Sequence, residues 1–188
     1  MIDWQETSLV FSNDPALALL REAILSLSVT FFGKQHREDR IISKGYDQYS
    51  EVLRKLNAAL AIPEQQTSNE VILTALTCML LEIFLPTGPL NFLKHQRGIE
   101  AIMKLRGPPT ESAGDTAVIF RGLRVVSIIG ALAEARPSIY AQEEWKHAPI
   151  AQTTEFGALQ AKMFTVLGTI ALGRTCRTAH ADFLLTCL

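Results

Sequence analysis

Few side chains in this sequence are placed to do chemistry, and each has a plainer reading beside the chemical one. Glu144-Trp145-Lys146-His147 spells Glu-x-x-His, the spacing that carboxylate-bridged di-iron bundles use twice, together with two further carboxylates. Only one copy occurs, and Pro149 follows at once, so the segment reads as an exposed loop end. The cysteines are Cys78, Cys176 and Cys187. Structural zinc needs four soft or borderline ligands drawn together, and an odd, widely spaced set without Cys-x-x-C supplies neither that nor a disulfide framework. The six aspartates stand singly, so no acidic cluster gathers magnesium. No Gly-x-Ser-x-Gly elbow and no phosphate-cradling glycine loop is present. No catalytic residue, metal ligand or cofactor is therefore expected.

The most distinctive polar pair is His95 and Arg97. Two residues apart on a helix, they point about 200° apart and cannot share one pocket. One of them could contact an effector. The plainer reading gives His95 a carbonyl or side-chain partner and pairs Arg97 with Glu82 or Glu100. Glu82 ends a narrow stripe with Thr74 and Cys78 on an otherwise apolar helix. If buried, its carboxylate needs a partner, and His95 or Arg97 can supply one. Gly98 in mid-helix costs roughly 1 kcal/mol relative to alanine, which predicts a close approach to a neighbouring helix. Lys94, Arg97, Lys104 and Arg106 make this helix basic, a pattern typical of a solvated face.

The elements that must position these residues all read as helices. Asn13 or Asp14 before Pro15 caps the first. Its expected stripe is Leu17, Leu20, Ile24, Leu27 and Phe31, with Gly33 as its stop. A second starts near Glu38, carries Ile42, Tyr46, Tyr49, Leu53, Leu56 and Leu60 at steps of three and four, and ends at Pro63. Thr67 and Glu70 form a capping box for a third, apolar from Val71 to Phe84 and hence central. Pro86 to Pro89 makes a short turn, which favours an antiparallel neighbour over about 90–105. A fifth helix covers about 116–135, 138–154 reads as irregular, and a last helix covers about 155–172. No strand is evident. The expectation is an all-α fold: a bundle or helical-hairpin array of five to seven helices, in a single domain over 1–188.

The 188 residues are enough to bury roughly 70% of the unfolded surface. With 48% hydrophobic and 20% charged residues the composition is globular. A mean hydropathy of +0.17 points to much buried helix, or to an apolar face that meets a partner. A net charge of −1 lacks the basic excess by which self-contained nucleic-acid binders neutralise phosphate. The N-terminus lacks the charge-then-apolar order of a signal peptide. The apolar runs 125–133 and 163–172 are too short to cross a bilayer. An intracellular protein with no membrane partner is the expectation.

Residues 68–108 also carry a family likeness. Asn69, Glu70 and Val71 open the third helix, and Leu81, Glu82, Ile83 and Phe84 close it much like a Leu-Tyr-Glu-x-Phe ending. Phe92 to Gly98 resembles a Trp-x-x-His-x-Arg-Gly element, with Phe92 in place of Trp. Leu105, Arg106, Gly107 and Pro108 match a Leu-Arg-Gly-Pro stop. Phe31, Phe32 and Gly33, then Arg136, Pro137 and Ser138, then Glu144 and Trp145, are weaker echoes. In this order they resemble the fungal-specific transcription factor domain, over about residues 15–150. The resemblance implies a nuclear, helical regulatory module that controls transcription. It would act through self-association, a co-regulator protein or a small hydrophobic metabolite. The motif positions Glu82, Phe92, His95, Arg97, Gly98, Arg106, Gly107, Pro108, Arg136, Pro137 and Trp145 would be structural or ligand-facing. Such domains usually follow a six-cysteine zinc cluster and run a hundred residues further. This sequence has no such cluster, so direct DNA contact by it is not expected, and the domain would be shortened. The competing reading is a stand-alone small-metabolite-binding protein or cofactor-free enzyme of fungal secondary metabolism on the same scaffold.

Overall fold

A computed structural model of the chain describes residues 14–110 and 114–146. Every regular element there is helical: α1 (Pro15–His36), α2 (Asp39–Leu60), α3 (Asn69–Phe84), α4 (Asn91–Arg106), α5 (Asp115–Ala133), a 3-10 turn (Ile139–Ala141) and α6 (Glu143–Lys146). The fold is all-α. The chain divides into two compact units, residues 1–74 and 75–188. The helix expected over 155–172 and two of the three cysteines, Cys176 and Cys187, lie outside the described residues.

The first unit is built on an antiparallel hairpin. Asp14 caps α1 by accepting the Ala16 N–H at 2.9 Å, with Pro15 in the first turn. α1 runs through Gly33 and stops at Arg37, whose left-handed φ of 56° lets its N–H reach back to the last carbonyls. Gly33 is no stop because it is needed inside the helix, where a Cβ would lie 2.8 Å from the backbone nitrogen of Ile42. Gly45 of α2 is tighter still, its Cβ position being 2.8 Å from the backbone nitrogen of Thr30 and nearer again to the Thr30 hydroxyl. The two helices therefore touch nearly backbone to backbone.

That closeness inverts the expected face of α1. Its buried residues are Ala16, Leu19, Ala23, Ser26, Thr30 and Gly33, a seam at steps of three and four made almost wholly of small side chains. Of the expected stripe, Ile24 and Phe31 are exposed, and Leu17, Leu20 and Leu27 are half-buried. α2 answers with Gly45, Tyr49, Val52, Leu56 and Ala59, closer to expectation. Lys55 Nζ ties the far end to Glu22 at 2.7 Å. Where the hairpin opens, a cavity of about 420 Å³ is bordered by Pro15, Leu19, Ala59, Ile62 and Gln65.

α3 is capped by Ser68, whose hydroxyl accepts the Val71 N–H at 3.2 Å, one residue on from the expected Thr67 box. Thr74, Cys78 and Glu82, its only polar stripe, are all buried. In the second unit α4 and α5 run antiparallel. Arg106 meets Thr116 at one end, and Gln96 meets Gly130 at the other. α1 and α5 reach the length and apolarity of a membrane span by composition alone. α5 nonetheless buries Ala117, Phe120, Leu123, Ser127, Ile128, Gly130 and Ala131 within the protein.

Candidate functional site

A polar core forms where α4 faces the end of α5. On α4 the buried positions are Leu93, Gln96, Ile99, Glu100, Ile102 and Met103. Helical spacing thus sets two polar side chains, Gln96 and Glu100, into an otherwise apolar seam. α5 makes room for them with Ser127 and Gly130; a Cβ at Gly130 would lie 2.5 Å from Gln96 Cδ. The chain then leaves α5 through Ala135, at φ 51°. The Arg136 N–H bonds back to Ala131, which turns the Arg136 side chain over the helix end.

Arg136 organises the cluster. Its Nη1 meets Glu100 at 2.6 Å, its Nε meets Glu134 at 2.5 Å, and its Nη2 donates to Gln96 Oε1 at 2.7 Å. Ser127 donates to Glu100 and shares a 2.9 Å hydrogen bond with Ser138. Arg97 approaches Glu134 from outside, 2.5 Å away. Burial works against the Glu134 charge, but the contacts from Arg97 and Arg136 outweigh it and hold its pKa below the ordinary carboxylate value. Burial likewise opposes the Arg136 charge, and Glu134 and Glu100 more than restore it. Gln96 Nε2 is enclosed with no hydrogen-bond partner among the described residues.

Beside this core lies an aromatic group. The Trp145 ring stacks on Phe120 at 5.8 Å and meets Tyr140 edge-on at 5.6 Å. The Tyr140 hydroxyl donates to the Phe120 carbonyl at 2.9 Å, and burial pushes its pKa well up. The Glu144 to Lys146 stretch is accordingly no exposed loop end: it is helical, and Trp145 is buried. Its partner in the Glu-x-x-His spacing, His147, lies outside the described residues. Around the α4–α5 connection a cavity of about 410 Å³ is lined by Arg106, Pro108, Thr110, Asp115, Thr116 and Phe120 among others. Arg106 lies 5.5 Å over the Phe120 ring and donates to Thr116 at 3.0 Å.

The expected positions thus separate into three places. Arg97 and Arg136 join the polar core. Arg106, Gly107 and Pro108 form the cavity wall. Glu82 and His95 lie together elsewhere. Glu82 accepts the Thr87 N–H at 2.9 Å and its hydroxyl at 2.6 Å, so the turn itself supplies its partner, and Arg97 goes to Glu134. The Glu82 charge still acts on His95, opposing the burial that lowers the imidazole pKa. Phe92 is half-buried and Pro137 exposed. Gly98 is exposed, with nothing within 4 Å of its Cβ position. The expected close approach is wrong there and is made instead by Gly130, which the sequence reading passed over. Gln96, Glu100, Ser127 and Glu134 were not singled out as a site either. Their signal was polar residues at apolar seam positions, Leu93-Gln96-Glu100-Met103.

The family described as "Fungal specific transcription factor domain" matches residues 6–177, further in both directions than the motifs above reach. The chain belongs to that family. It is 27% identical over 143 residues to an uncharacterized protein, AN5342, of Emericella nidulans, covering 76% of this chain and 30% of that protein. The chain thus spans under a third of the length of this relative. No solved structure matches.

Proposed function

We propose that this member of the fungal-specific transcription factor family is a regulatory module. It answers to a partner protein or a small effector in the nucleus and influences transcription without gripping DNA itself. The observation that carries this reading is how the basic side chains of α4 are used. Arg97 is committed to Glu134, Arg106 to Thr116 and the Phe120 ring, and Lys94 to Asn91 at 2.9 Å. Lys104 is exposed beside them, but with a net charge of −1 one lysine makes no positive track along a phosphate backbone. The cavity at the α4–α5 connection falls within the size range of small-molecule sites. Its wall sets Arg106, Thr110, Asp115 and Thr116 against one aromatic ring, so it suits a polar effector better than the apolar metabolite first expected.

Two measurements test the reading. Fused to a heterologous DNA-binding domain, the chain should change output from a reporter carrying the matching site. Alone, it should fail to shift duplex DNA at moderate salt. A reporter unaffected by the fusion, or salt-sensitive DNA binding by the chain itself, overturns the proposal.

A further inference from the structure

The turn between α3 and α4 is fastened by a hydroxyl on the outside of the protein. Thr87 lies in Pro86-Thr87-Gly88-Pro89, and Ile83, Pro86, Thr87, Pro89 and Leu90 are all exposed. Glu82, the carboxylate that the turn closes over, is 4% exposed. Thr87 grips it twice: the hydroxyl donates to Oε1 at 2.6 Å, and the backbone N–H donates to Oε2 at 2.9 Å. We propose that Thr87 is a phosphorylation site, at which a protein kinase using a nucleoside triphosphate releases the turn from Glu82.

Three features single out this hydroxyl. The first is access. With its neighbours on both sides exposed, no helix has to unfold for a kinase to reach it. Ser127 and Ser138, which also hydrogen-bond around a buried carboxylate, are 2% and 1% exposed and out of reach. The second is that its proton already has an acceptor. A hydroxyl within hydrogen-bond reach of a carboxylate that a third group orients is the arrangement of an activated nucleophile. Here the third group is the Thr87 N–H on Glu82 Oε2. In the step, Thr87 Oγ1 bonds to the γ-phosphorus, and the bond from that phosphorus to the β-phosphate's bridging oxygen breaks. The nucleoside diphosphate leaves, and the hydroxyl proton passes to Glu82 and on to water. The third feature is that the product has somewhere to go. A phosphothreonine carries about −1.5 to −2 charge at neutral pH and has no hydroxyl hydrogen left to give Glu82, so the two repel. On its other side the Thr87 hydroxyl accepts from Asn91 Nδ2 at 3.0 Å, and Asn91 Oδ1 accepts from the exposed Lys94 at 2.9 Å. An amide and an ammonium are donors that suit a phosphate. One side chain thus has two positions, on Glu82 before modification and on Asn91 and Lys94 after it. The inference goes beyond the regulatory reading and does not depend on it.

The test has two arms. In the first, the full chain is expressed in a filamentous fungal host, purified with phosphatase inhibitors and mapped by tandem mass spectrometry. Phosphate should be found on Thr87 and be removed by phosphatase. In the second, hydrogen exchange is followed at the amide of residue 87 by NMR, with circular dichroism as the control for folding. Thr87→Val loses the hydroxyl but can keep the N–H bond to Glu82. Thr87→Glu sets a second carboxylate against Glu82, and its amide should exchange at least about tenfold faster than that of Thr87→Val. Adding Glu82→Gln should remove most of that difference, because the repulsion is gone. A chain from the fungal host with no phosphate on Thr87 overturns the proposal. So does a Thr87→Glu amide as well protected as that of Thr87→Val, or a difference that Glu82→Gln leaves intact.

Discussion

Arg136 holds two buried carboxylates, Glu100 and Glu134, and the amide oxygen of Gln96. Replacing it with methionine would keep much of its volume but leave those carboxylates without their main counter-charge. Breaking a buried pair from one side costs far more than the pair contributes relative to an apolar substitute. We expect Arg136→Met to lower stability by about 3–5 kcal/mol, read from the midpoint of urea unfolding. Glu100→Gln in the same chain should recover part of the loss, because one stranded charge is gone; strict additivity of the two substitutions would show that they do not share a cluster. The partner of Arg136 was not legible from the sequence. His95 and Arg97 drew notice by type, whereas Gln96 between them is the residue that faces inward. Side-chain chemistry alone does not tell which way a helix is turned.

At the scale of elements, the existence and approximate limits of α1 to α5 were readable from caps, prolines and periodicity, because those signals are local. Which face of α1 packs was not. α1 carries two stripes with the same spacing, a large apolar one and a small mixed one. Counting hydrophobic residues selects the first, whereas the close approach of Thr30 and Gly45 requires the second. Gly45→Ala should accordingly overpack the hairpin and cost about 1–3 kcal/mol. Gly98→Ala should do the opposite, stabilising α4 by up to about 1 kcal/mol through helix propensity alone, since its Cβ would meet nothing. Thermal denaturation of the two variants side by side checks both signs. A Gly98→Ala variant that melts lower would mean that this part of α4 is covered after all.

For the molecule as a whole, acid should be destabilising in two windows. His95 has a lowered pKa from burial, so its contribution is full above the unfolded value of about 6.5 and is lost as pH falls from there through the folded value. Glu134 has a lowered pKa as well. Its contribution is full above about 4.3 and is lost below that. Stability measured against pH should fall first below about 6.5 and again below about 4.3. His95→Gln should flatten only the upper step and Glu134→Gln only the lower. Buried Cys78 adds a chemical clock to the same molecule. Burial, helped by the Glu82 charge, pushes its thiol up to about 12, so very little of it is the reactive thiolate at neutral pH. With Cys176 and Cys187 changed to serine, alkylation of Cys78 can then proceed only as often as the helices around it part. The rate at which the chain takes up label becomes a measure of how much of the time its core stands open, and, at reagent concentrations where labelling outpaces reclosing, of how often it opens.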